Sequence, residues 1–202
     1  MEINKRIRRQ RYLVIELTVQ VEEILSKTLG NLLDIDWKKS KTLGYGSSAL
    51  SFNQKVIIIQ DIKGIDKLTK EKLDVLMYVR NKFAHVKEVN SFESFFSISD
   101  KATDLKKKLK KWYHKESDNF EDIEEENVNY FIRLVSDTQN FLVEISKDHS
   151  KNKGYQKGLN EATERINDEL IAEMRNIEGG DEKLDEIFKR LKKEFNEKNT
   201  CT

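Results

Sequence analysis

The sequence predicts an all-α protein, and three observations carry that reading. No proline occurs in 202 residues, and glycine is held to 8. Charged residues make up 36% of the chain, the composition of long solvated helices rather than of a β-sandwich rich in turns. Apolar residues recur at helical spacing through several segments. The length suffices for one sizeable core with an appendage. The expected architecture is a bundle of about four or five helices over residues 1–147 and a helical tail over 148–202.

The first helix is expected over residues 3–33, where Ile7, Leu13, Leu17, Val21, Ile24 and Leu29 mark an apolar stripe. Its start is densely basic, with Lys5, Arg6, Arg8, Arg9 and Arg11. Such a run either meets phosphates or is a solvated face, and the second reading is the commoner one. Residues 38–48 read as a loop rich in glycine and hydroxyls. The Gly44-x-Gly46 pair there has no Gly-Lys-Ser/Thr ending and no preceding strand, so it does not make a nucleotide loop. Residues 51–60 contain four β-branched residues in a row, Val56 to Ile59, which would suit a buried strand. No second strand of like quality exists to pair with it, and an orphan strand would leave backbone groups unsatisfied, so a helix is predicted.

A break follows at residues 61–65, and Thr69 is the expected N-cap of the next helix, whose Leu73, Leu76 and Met77 face the core. Residues 89–98 read as irregular, packing Phe92, Phe95 or Phe96 on the bundle. Asp100 starts a helix with Leu105, Leu109 and Trp112 at core spacing. Its lysines, Lys106, Lys107, Lys110 and Lys111, precede Trp112 and Tyr113. Lysines beside aromatics suit single-stranded nucleic acid, with bases stacked on the rings. The acidic residues from Glu116 to Glu126 offset that field, which favours an ordinary surface helix. A long helix over 123–145 brings Val128, Phe131, Ile132, Val135, Phe141, Leu142 and Ile145 to complete the bundle. Beyond a polar stretch at 147–157 come two stripes. Leu159, Ala162, Ile166, Leu170, Met174 and Ile177 form one, and Leu184, Ile187, Phe188, Leu191 and Phe195 the other, parted by Gly179 and Gly180. They predict a helical hairpin that folds on the bundle or pairs with another chain as a coiled coil.

A formal net charge of +1 gives no overall bias toward nucleic acid, so any such affinity must come from local patches. Cys201 is the single cysteine, which points to a reducing compartment, the cytoplasm. No apolar run approaches a membrane span and the first residues lack the apolar segment of a signal peptide. His114, His149 and Cys201 share no ligand spacing, so neither a metal site nor a cofactor is expected.

The chemistry sits in Arg80-Asn81-Lys82-Phe83-Ala84-His85, which closes the helix of Leu73 and Leu76. Cleavage of a phosphodiester needs a group that moves protons near neutral pH and a fixed cation for the charge that develops. Histidine and arginine are those groups. At about 100° per residue, Asn81 and His85 lie about 100° and 140° round from Arg80, so one face of a straight helix does not hold all three. His85 is therefore expected at or beyond the last turn, and Asn81 to orient the phosphate or the histidine. A plainer account is that cations at a helix C-terminus offset its dipole.

Arg80-Asn81-x-x-x-His85 resembles the signature of the HEPN superfamily. Ser51-Phe-Asn-Gln-Lys55, Gly64, residues 79–86 and Ser91-Phe-Glu93 are similar to the branch that includes the mannitol operon repressor family, over roughly residues 10–115. The resemblance implies a HEPN-like antiparallel helical bundle. It also implies catalytic roles for Arg80, Asn81 and His85 in a metal-independent endoribonuclease, a toxin or phage-defence effector, with RNA as the partner. The weaker candidates for RNA contact are Lys82, Lys106, Lys107, Lys110, Lys111, Arg8 and Arg9. One histidine supplies one proton-moving group where cleavage uses a base and an acid. A two-fold homodimer through the Arg80 to His85 face would supply the second, an arrangement that HEPN nucleases resemble. The mannitol-repressor branch implies instead a non-catalytic regulator, or an antitoxin-like partner bound through residues 150–202.

Overall fold

The computed structural model describes residues 2–175 together with 182, 185, 186, 189 and 190, with side chains from Gln10 onward except those of Leu170, Glu173 and Met174. Every element among them is a helix: α1 (Glu2–Leu33), α2 (Phe52–Gln60), α3 (Lys67–His85), α4 (Phe92–Phe96), α5 (Asp100–Tyr113) and α6 (Ile123–Arg175). No helix among the described residues is long and apolar enough to cross a membrane. The chain divides into two units, residues 1–149 and 150–202.

In the first unit the core is continuous from α1 to α6. Val14, Val21, Leu25 and Leu29 are the buried line of α1, while Leu13, Leu17 and Ile24 flank it half-buried. Thr18 and Thr28 complete that buried face because each hydroxyl has an acceptor. Thr18 Oγ1 donates to Val14 O within α1, and Thr28 Oγ1 to Leu142 O of α6. α1 ends where Asp34 takes a positive φ of 58° and the Ile35 N–H returns to Gly30 O at 2.7 Å, closing the last carbonyls. Gly30 is required there, since a Cβ would lie 2.8 Å from both Ile35 O and Trp37 Cβ. Gly44 likewise makes a close turn, its would-be Cβ 2.7 Å from Ser40 O.

The stretch predicted as helix is α2, Phe52–Gln60, opened by a capping box in which the N-cap Ser51 and Gln54 satisfy each other's backbone N–H. Three expectations change. The N-cap of α3 is Asp66, not Thr69. The Asp66 carboxylate accepts from the Leu68 and Thr69 N–H groups, and the Thr69 hydroxyl donates to it, a stronger acceptor set than a lone hydroxyl offers. Residues 92–96 are not irregular but form α4, capped by Ser91 and Ser94. Its Phe92 N–H is taken by the buried Gln10 of α1 at 2.9 Å, and Phe92 and Phe95 pack on Phe83 with centroids 5.1 and 5.7 Å apart. Finally, the helix begun at Ile123 does not stop at Ile145, because no proline interrupts it and Gly154 and Gly158 stay helical. Within it Ile132 is exposed, and Phe131, Leu134, Val135 and Leu142 face the core.

In the second unit, residues 150–175 are helical and Tyr155, Leu159 and Ile166 are exposed. The predicted turn at Gly179 and Gly180 and the second stripe from Leu184 to Phe195 lie outside the described residues.

Candidate functional site

α3 delivers the motif because its opposite face is anchored. Leu73, Leu76, Val79 and Phe83 are buried to within 1%, and Phe83 packs on Phe92 and Phe95 of α4. That registration turns Arg80 and Asn81 toward the start of α2. Arg80, Asn81, Lys82 and His85 line one cleft of about 390 Å³ with Ser51, Phe52, Asn53 and Val86.

Three side chains in the cleft form a relay. Asn81 Nδ2 donates to Asn53 Oδ1 at 3.2 Å, and Arg80 NH1 donates to Asn81 Oδ1 at 3.2 Å. The Arg80 guanidinium lies 5.7 Å from the centroid of Phe52. Asn53 thus fixes which way the Asn81 amide faces, and the amide fixes the guanidinium. Although helical spacing separates Arg80 from His85 around α3, they line one cleft. A long arginine laid toward Phe52 spans the arc that a single face does not. His85 is the last residue of α3 and is exposed.

The cleft opens on the N-terminus of α2, whose capping box occupies the Ser51 and Gln54 N–H groups and leaves those of Phe52 and Asn53 to the first turn. That end of a helix carries partial positive charge. With Arg80 beside it, the cleft suits an anion, whereas Lys82 Nζ lies 5.4 Å from the Tyr78 ring, which does not line the cleft.

The sequence reading missed three contributors. Ser51 and Asn53 belong to the resembling segment, yet nothing in their spacing tied them to Arg80. Arg11, grouped with the basic run, donates from NH2 to Ala84 O at 3.0 Å and from NH1 to Val86 O and Asn90 Oδ1, each at 3.4 Å. It holds the end of the motif helix.

The remaining basic candidates lie elsewhere. Lys107 pairs with Asp104 at 3.0 Å, Lys110 with Glu126 at 3.2 Å, and Lys106 lies 5.7 Å from the Phe96 centroid. Lys111 is exposed on the same helix. None of the four lines the motif cleft. Arg8 and Arg9 are helical in α1 and their side chains lie outside the described set. Tyr113 is no stacking platform: it is 7% exposed, and its hydroxyl donates to Asp137 at 3.0 Å. Burial and the Asp137 carboxylate push its pKa well above the usual tyrosine value.

Comparison with protein-family models, with curated proteins and with solved structures gave no match to this chain.

Proposed function

We propose that the chain is a metal-independent endoribonuclease of the HEPN type, acting in the cytoplasm as a toxin or phage-defence effector. The observation that carries this reading is the convergence of Arg80, Asn81 and His85 on one cleft at the positive end of α2. A phosphodiester of RNA would sit there. Its 2′-oxygen attacks phosphorus as the bond to the 5′-oxygen breaks, leaving a cyclic phosphate on one product and a 5′-hydroxyl on the other. One imidazole accepts the 2′-hydroxyl proton, and a second protonates the departing oxygen. Arg80 and the α2 N-terminus offset the charge on the phosphoryl oxygens, and Asn81 keeps the guanidinium aimed. The second imidazole is His85 of a symmetric copy.

The test is RNA cleavage by purified protein in EDTA, with wild type beside His85→Ala. Loss of one proton-moving group typically removes about 10²–10⁴ in rate, so the variant is expected to fold, dimerise and leave RNA intact. Equal cutting by both proteins overturns the proposal.

A second reading, a non-catalytic regulator of the mannitol operon repressor type or an antitoxin-like interaction module, draws support from the exposed Tyr155, Leu159 and Ile166. Intact RNA after incubation, with a co-purifying protein lost on Leu159→Glu and Ile166→Glu, would favour it.

A further inference from the structure

A second cleft, of about 720 Å³, lies among α4, α5 and the start of α6 and shares no residue with the motif cleft. Two buried polar groups in it want partners. Glu124, in the first turn of α6, accepts the Glu93 N–H on Oε1 at 2.8 Å, but its Oε2 is buried with no hydrogen-bond partner. Asn127, almost one turn further on, is 2% exposed and lines the same cleft. No hydrogen bond to its amide is found among the described residues. Buried polar groups are almost always partnered, and each exception asks what the protein binds there.

The chemistry of the walls narrows the answer. A carboxylate oxygen only accepts, and an asparagine amide can turn its oxygen toward a donor. Glu93 and Glu124 outweigh Lys106 in charge, which disfavours a phosphate and favours a cation. Lys106 is the chain's own cation at this place, yet its ammonium lies 5.7 Å from the Phe96 centroid and forms no ion pair with Glu124. What fits a buried acceptor, a neighbouring amide oxygen and an aromatic wall is a planar cation with several N–H donors that lies flat on a ring.

We propose that the cleft of Phe96, Glu124 and Asn127 binds a guanidinium group, whose N–H donors bond Glu124 Oε2 and the Asn127 amide oxygen. The group comes from a free small cation or from an arginine of a protein segment, and the site is independent of the nuclease reading.

The experiment is titration of the full chain with methylguanidine, followed by the backbone amide signals of residues 93–127. Saturable shifts with a dissociation constant under about 10 mM are expected, and Glu124→Gln should weaken binding about tenfold or more. Circular dichroism verifies that this near-isosteric variant is folded. Lys106→Met, which removes a competing cation, should bind at least as tightly as wild type. Absence of saturation, equal affinity in Glu124→Gln, or loss of binding in Lys106→Met would each overturn the proposal. In a second arm, an uncharged-ended peptide with one arginine is compared with its lysine counterpart. Preference for arginine supports the proposal and, where it exceeds methylguanidine, assigns the site to a protein segment. Equal binding of the two peptides overturns it.

Discussion

The Arg11 guanidinium of α1 donates to the carbonyl of Ala84 at 3.0 Å, one residue before His85. A residue that reads as part of a phosphate-binding run is instead a clamp on the last turn of α3. The last carbonyls of a helix lack partners within it and carry partial negative charge, and a cation serves both needs.

Arg11→Met, which keeps most of the stem but removes the donors, is therefore expected to destabilise the protein. Hydrogen bonds from a charged group are each worth about 1.5–3 kcal/mol, less where water competes, so the expected loss is about 1–3 kcal/mol in urea unfolding. A loss under about 0.5 kcal/mol would show that water satisfies those carbonyls equally well.

Asn53 is the next case, because it touches Asn81 rather than any phosphate directly. Asn53→Ala frees the Asn81 amide to turn over and releases the hold on Arg80. If the cleft cleaves RNA, the variant should lose about tenfold or more in kcat/KM, roughly the worth of one charge-assisted contact. Thermal unfolding should change little, since Asn53 is only half-buried. An unchanged rate would mean that Arg80 is positioned without the relay.

Local signals made the helices legible and long-range packing hid the site. α2 could be read because a lone strand has no partner to satisfy its backbone groups. Asp66 is hidden as the α3 cap because Thr69, three residues on, is also a cap by type, and the geometry of the turn decides between them. α4 is five residues long, shorter than any periodicity can reveal, and it forms because Gln10 and the phenylalanine cluster hold it. Arg80, Asn81 and His85 stand out as candidates by their types. Asn53 and Arg11 do not, since their partners lie 28 and 73 positions away.

Lys55 and Glu22 make an asymmetric buried pair, 3.1 Å apart, with the lysine side chain 4% exposed and the glutamate 28%. Removing the carboxylate strands a buried ammonium, whereas removing the lysine leaves a carboxylate that still reaches water. Glu22→Ala should thus cost about 3 kcal/mol, near the lower end for a broken buried pair, and Lys55→Met about 1 kcal/mol or less. Urea titration of the two variants measures the difference. The opposite ranking would show that water reaches the Lys55 ammonium.

Asp118 and Arg133 face each other through two parallel bonds, NH1 to Oδ2 at 2.8 Å and NH2 to Oδ1 at 2.6 Å. The arginine hydrogen bonds, helped by the Lys115 N–H, hold the Asp118 carboxyl down at about 2. A carboxylate whose pKa is lower in the folded state adds stability above its unfolded value, about 3.9, and loses it as pH falls through the folded value. Wild type should therefore melt above Asp118→Asn at pH 5 to 7 by a constant gap, and the gap should close as pH falls from about 4 to about 2. Glu126 is also held low, chiefly by the Tyr130 hydroxyl, with Lys110 beside it, but it titrates in both proteins and cancels in the difference. A gap that stays constant down to pH 2 would show that the ionised carboxylate is not its source, because only that form attracts Arg133 more strongly than the near-isosteric amide does.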